Sequence, residues 1–248
     1  MAVSVKFGTY DFTDTINSWV TRRNVTLDAA SVPIRDGLSI QGGKLGPVEI
    51  ELRGLLMGST IAAVRTLKDS LLAGITNRTE NLTLNDDRFV EARVAQFNEQ
   101  WIEGAALLAL EFVITFVSTL PYEQSVTLQS STVVTTTASN QDFSITNAGN
   151  YPAYAKITVT APGGGISNDL TVYNLTRNES FAYYGTIASG QSLVVDGMAL
   201  PPSVENNGDD DIVLFSGDFI KIDAGINSFR INSVVGVSIK VEWRDTYV

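Results

Sequence analysis

The densest cluster of residues that could do chemistry is Asp209-Asp210-Asp211. Consecutive carboxylates can hold Ca²⁺ through oxygen ligands. The spacing departs from an EF-hand loop, and no Glu follows where an ion would be gripped by both carboxylate oxygens. A solvated loop tip is the favoured reading. Gly163-Gly164-Gly165 and Gly42-Gly43 could cradle a phosphate. Neither leads into a Lys-Ser/Thr pair or a helix whose N-terminus would face an anion, so both read as turn glycines. Tyr151, Tyr154, Tyr173, Tyr183 and Tyr184 crowd the second half. A solvent-facing row of such rings would stack on sugars, but Tyr is also an ordinary strand former, and packing is the favoured role. A glycosidase needs two carboxylates about 5–10 Å apart across a cleft. Among 27 acids no pair is set apart by its surroundings.

The chain has neither His nor Cys. The commonest general base and metal ligand near neutral pH is therefore missing, with every thiol nucleophile and Cys-ligated metal. The expectation is a protein that is not an enzyme, with no catalytic, cofactor-binding or metal-ligating residue and no cofactor. The net charge is −10, spread as −4 over residues 1–124 and −6 over residues 125–248. Such acidity repels phosphates and argues against sequence-specific nucleic-acid binding. No secretory signal is read at the start, and the longest apolar run, within residues 105–117, is interrupted by Glu111. It is too short to span a bilayer, so no membrane insertion is expected.

The elements that would position these residues are mostly strands. Val48, Ile50 and Leu52 alternate with Glu49, Glu51 and Arg53, and Leu108, Leu110, Phe112, Ile114 and Phe116 share one face of a long strand suited to a sheet centre. A strand over 88–97 follows the turn Asn85-Asp86-Asp87. One helix is expected at about 60–74, from Ile61, Val64, Leu67, Leu71, Leu72 and Ile75. Ser59 or Thr60 would cap it, Gly74 would sit just past its end, and Arg65, Lys68 and Asp69 would face away. A single helix cannot bury its own stripe, so Leu67 and Leu71 should lie on the neighbouring sheet. Residues 126–149 are rich in Ser, Thr and Asn and read as a linker or as edge strands, with a domain boundary near residue 130. Short strands are then expected at 143–146, 155–160, 169–174, 179–184, 192–195, 212–215, 218–222, 227–232 and 237–243, as in an antiparallel sandwich. The fold class is mainly β, with domains 1–130 and 131–248.

Several segments resemble one family. Ile34-Arg35-Asp36-Gly37 leads into Ile40-Gln41-Gly42-Gly43, and after the strand, the helix and the turn before Arg88-Phe89, the long strand closes with Pro121-Tyr122-Glu123. Later come Asn147-Ala148-Gly149-Asn150, Ser216-Gly217-Asp218-Phe219, Ala224-Gly225-Ile226-Asn227 and Trp243-Arg244-Asp245. In this order they resemble the distal tail (Dit) proteins of long-tailed, siphovirus-type bacteriophages. The resemblance implies an N-terminal β-sandwich or barrel with one packed helix, followed by a C-terminal galectin-like β-sandwich. It implies a structural virion protein at the tail tip, assembled in the host cytoplasm. Six copies would form a ring with an acidic lumen through their first domains. Tail-tube protein, tail hub or tip protein, and receptor-binding or side-fibre proteins would be the partners. A carbohydrate-binding tail module and a tail-tube subunit are the alternatives. The 118 residues after position 130 count against the second.

Overall fold

The computed structural model describes residues 4–31, 38–85, 87–104, 107–136, 140–161, 163–167, 170–233 and 235–248, with side chains of 24–44 and 103–107 left aside. Ile34, Arg35, Asp36, Gly37, Asp86 and Asp169 lie outside these residues. The chain divides into two compact units, Met1–Val126 and Thr127–Val248.

In the first unit, β1 (Val5–Phe7), β2 (Tyr10–Asp11), β3 (Ile16–Ser31), β4 (Leu38–Gly58), α1 (Ile61–Ile75), β5 (Thr79–Leu84), β6 (Arg88–Gly104), β7 (Leu107–Ser118) and β8 (Glu123–Ser125) follow in order. The strands pair antiparallel in the order β2-β1-β5-β6-β7-β4-β3, and β8 also pairs with β6. As the alternation predicts, Val48, Ile50 and Leu52 of β4 and Leu110, Phe112, Ile114 and Phe116 of β7 are buried. β7 is indeed internal, between β6 and β4. In a flat sheet, three strand spacings of about 4.8 Å would hold β1 and β7 far apart. Yet the Phe7 and Phe116 rings lie 4.9 Å apart. The sheet therefore curls over its own core.

Two features of this sheet were not readable as periodicity. β3 and β4 form a long ribbon whose register slips at three places, between Ile16 and Ser18, Arg23 and Val25, and Asp28 and Ala29. Gly42 and Gly43 pair within that ribbon with Asp28 and Leu27, so they are strand residues rather than turn glycines. β6 runs on to Gly104, past the expected end at Phe97, because a bulge between Val94 and Gln96 interrupts its alternation. Before the bulge Val90 and Ala92 face the core; after it Phe97 and Trp101 do.

The helix starts at its Thr60 cap, whose hydroxyl accepts the Ala63 N–H at 3.1 Å. Its buried stripe is Val64, Leu71 and Ile75. Leu67 is 44% exposed. The stripe leans toward Lys68 instead, whose ammonium meets Glu99 at 2.6 Å rather than facing away. Gly74 lies inside the helix, not past it. A Cβ there would sit 2.4 Å from the Tyr10 ring, so the glycine lets the helix close on β2. Leu71→Ala should cost about 2–5 kcal/mol, as large-to-small changes in a core do. Leu67→Ala should stay within about 0.5 kcal/mol. Equal losses in urea denaturation would put both leucines on one stripe and refute this packing.

In the second unit come β9 (Gln129–Ser130), β10 (Val134–Thr135), β11 (Gln141–Asn147), β12 (Ala153–Thr160), β13 (Ile166–Ser167), β14 (Leu170–Asn174), β15 (Glu179–Tyr183), β16 (Thr186–Ile187), β17 (Ser192–Asp196), β18 (Ser203–Asn206), β19 (Asp209–Asp210), a 3₁₀ turn (Ile212–Leu214), β20 (Phe215–Gly217), β21 (Lys221–Ile222), β22 (Gly225–Ser233), β23 (Ser238–Trp243) and β24 (Thr246–Tyr247). One sheet has the order β10-β23-β12-β17-β18-β19, with β9 on β23 and β21 on β12; the other is β11-β22-β14-β15-β20. Ile157, Val159, Leu193, Val195, Ile239 and Val241 from the first share one core with Val172, Phe181, Phe229 and Ile231 from the second. The Ser/Thr-rich stretch supplies the outer strands β10 and β11, and β11 pairs with β22 along its whole length. Residues 212–215, expected as a strand, begin with the 3₁₀ turn, and β18 was not anticipated.

Candidate functional site

The residues singled out for chemistry are built into strands and turns. Asp209 and Asp210 form β19, paired with Asn206 and Glu205. The Asp211 carboxylate accepts the Tyr183 hydroxyl, and Asn206 Nδ2 donates to that same phenol oxygen at 3.0 Å. Burial, then the hydrogen bond to Asp211, pushes the Tyr183 hydroxyl up to about 12. Among the described residues no group of three or more acids is placed to hold a metal ion. Gly163 and Gly164 have open space around them, and Gly165 has a φ of +70°, as a turn requires. Pro162 beside them lies outside the described residues.

The tyrosines form no row. Tyr183 is buried and Tyr184 is 56% exposed, because neighbours along a strand point to opposite faces. Tyr154 belongs to one sheet and Tyr173 to the other, and the Lys221 ammonium lies 4.9 Å from the Tyr154 ring centre. Three depressions on the first unit have volumes of about 220, 200 and 160 Å³. Ligand pockets usually measure about 300–1,000 Å³.

What stands out instead is surface built for contact. β3 is the last strand of its sheet, so among the described residues one side of this 16-residue strand meets no further strand of the unit. An edge of that length is a template for another chain. The sheet face away from the helix is mixed in charge. Its registers align Arg93, Val117, Glu49 and Arg22, and alongside them Gln96, Thr115, Glu51 and Val20. Arg22 and Arg53 both pair with Glu51, at 3.1 and 2.6 Å. Arg53, then Arg22, hold the Glu51 carboxyl below the usual range. Both cations are thus held by a single carboxylate, which leaves the trio with one net positive charge.

The second unit is ordered at one end by buried amides. Asn147 Nδ2 donates to the carbonyls of Tyr151 and Ile222, both at 3.0 Å. Asn174 Nδ2 donates to the Lys221 carbonyl, and its oxygen accepts the Thr176 N–H. Asn227 accepts from the Asp223 N–H at 2.9 Å and donates to the carbonyls of Asp223 and Gly225 at 2.8 and 3.1 Å. Nearby, Arg177 bridges Glu179 and Asp223. The surface that sequence reasoning missed is the 3₁₀ turn. Its Ile-Val-Leu run has the look of a buried strand, and only the preceding acid triplet signals that it is at the surface.

No protein-family description and no curated protein matches the sequence. Solved structures share its fold. The Dit protein of phage SPP1, described as a paradigm of the hub adsorption apparatus in phages infecting Gram-positive bacteria, superposes over 100% of both chains at 13% identity, with a TM-score of 0.77. A chain of the phage P2 baseplate in its activated conformation with Ca superposes over 98% of both chains at 9% identity and a TM-score of 0.51. The same baseplate with Sr gives 8% identity and the same TM-score. The chain therefore has the mainly β fold of phage Dit proteins along its whole length.

Proposed function

We propose that this chain is a structural hub protein at the distal end of a phage tail, with no enzymatic step of its own. Its first unit closes into a six-fold ring that continues the tail tube and meets the tail tip protein, and its second unit carries receptor-binding or side-fibre proteins. The observation that carries the reading is the superposition on the SPP1 Dit protein over the full length of both chains. The open β3 edge supports it physically. A closed ring pairs every edge without runaway growth. Pairing Arg22 and Arg53 with Glu51 halves the positive charge they bring to that sheet face, which suits a wall past which DNA must slide, since unpaired cations there would hold phosphates.

Charge sets the conditions of assembly. Each copy carries −10, so six copies repel one another and screening should favour the ring. In native mass spectrometry the hexamer population is expected to rise from low to moderate ionic strength. Imaging of tail tips that contain the protein should show six copies around the axis. Three-fold or helical stacking there would end this reading.

A further inference from the structure

The 3₁₀ turn exposes three consecutive apolar side chains: Ile212 by 43%, Val213 by 84% and Leu214 by 38%. Tyr184 lies beside them, its N–H bonded to the Leu214 carbonyl at 2.9 Å. The turn is held firmly. The Leu214 N–H reaches the Asp211 carbonyl at 3.1 Å, and the Asp211 N–H reaches the Val204 carbonyl at 2.9 Å. From the next residue, the Phe215 ring lies 4.9 Å from Phe219 and 5.5 Å from Phe181. An apolar surface fixed in this way loses little freedom when something docks on it. Contiguous exposed apolar groups with a polar rim mark interaction sites.

The rim says what fits. Residues 178–220 contain seven acids and no Lys or Arg. Asp209 and Asp210 are exposed on the strand leading into the turn, and Asp218 is exposed just after it. Glu205 is the cross-strand partner of Asp210. No ion pair among the described residues engages Glu205, Asp209, Asp210 or Asp218. A second copy docking by the same patch would bring carboxylates onto carboxylates. We infer that this turn is the docking site for a segment of a partner protein that presents an aliphatic side chain flanked by Lys or Arg. The apolar contact supplies affinity, and the carboxylates supply approach rate and orientation. This deepens the reading of the second unit as an attachment surface by giving that surface its residues.

The test uses the whole chain and a fluorescein-labelled peptide with a central Leu-Val-Leu flanked by two lysines on each side. A second peptide has glutamates in place of the lysines. Fluorescence anisotropy should show binding of the lysine peptide only. The double variant Tyr184→Ser, Val213→Ser changes only exposed positions and should weaken binding at least ten-fold. Asp209→Asn with Asp210→Asn should weaken it too, and should flatten its dependence on salt. Lysine-peptide binding that neither variant weakens overturns the proposal. So does self-association in sedimentation equilibrium that Val213→Ser abolishes. Native mass spectrometry of the serine variant reads the ring separately, so a failed patch and a failed ring are distinguishable.

Discussion

Phe116→Ala is expected to destabilise the first unit by about 3–5 kcal/mol, the range for removing a fully buried aromatic ring. Phe116 is completely buried, and its ring lies 4.9 Å from Phe7 and 6.4 Å from Phe12. Favourable ring-to-ring geometry accounts for only about 0.5–1.5 kcal/mol of such a loss. The larger part comes from lost burial and from the cavity left between β7 and β1, the strands that bring the sheet round on itself. Phe116→Leu keeps most of the volume and should recover more than half of the loss. Urea denaturation of both variants decides the matter. An alanine variant within about 1 kcal/mol of the parent would mean that the core refills easily and that this contact does not hold the curl.

Asn227→Ala should be the most damaging polar change, at about 2–4 kcal/mol, because an unpaired buried polar group costs about 1–3 kcal/mol. The side chain is fully buried and serves the Asp223 N–H and the carbonyls of Asp223 and Gly225. Gly225 is exposed, so water can take over its carbonyl, and the cost falls mainly on Asp223. Asn227→Asp keeps the acceptor but loses both donors and brings a charge into a dry site, so it should be no better than alanine. Hydrogen exchange at the Asp223 amide gives a local readout and should speed up in the alanine variant. An aspartate variant as stable as the parent would show that the two donated bonds contribute nothing.

The sequence revealed most where one physical rule governed a whole element. β7 was legible because Leu110, Phe112, Ile114 and Phe116 alternate without interruption. The helix was legible from its spacing and its Thr60 cap, but its exact buried stripe was not. Leu67 and Lys68 exchange expected roles because the salt bridge to Glu99 depends on where β6 passes, which helical spacing cannot state. The register slips along β3 were hidden for a similar reason, since bulges erase period-two signal where the partner strand is unknown. At the candidate docking turn, hydropathy pointed inward. Hydrogen bonds from Leu214 and Asp211 fold Ile212, Val213 and Leu214 back on themselves, so three residues fit for a core strand end up outside. The Dit-like plan was legible from short Gly-, Asn- and Asp-bearing segments in order, most of them at turns or strand ends, where the backbone demands those residues even where core residues interchange freely.

The bulge in β6 also bears on how such chains can change length. Side chains on a strand obey a two-step parity, and losing one residue inverts the parity of everything that follows. Such a deletion at most points in β6 would force either Val90 and Ala92 or Phe97 and Trp101 out of the core. Ala95 is different. It is the exposed residue that the register skips, with Val94 paired to Phe116 and Gln96 to Thr115 on either side. Removing it leaves both flanks in phase with β7 and takes away only the local kink. Position 95 is thus where a relative could shorten this strand by one residue and keep the same core.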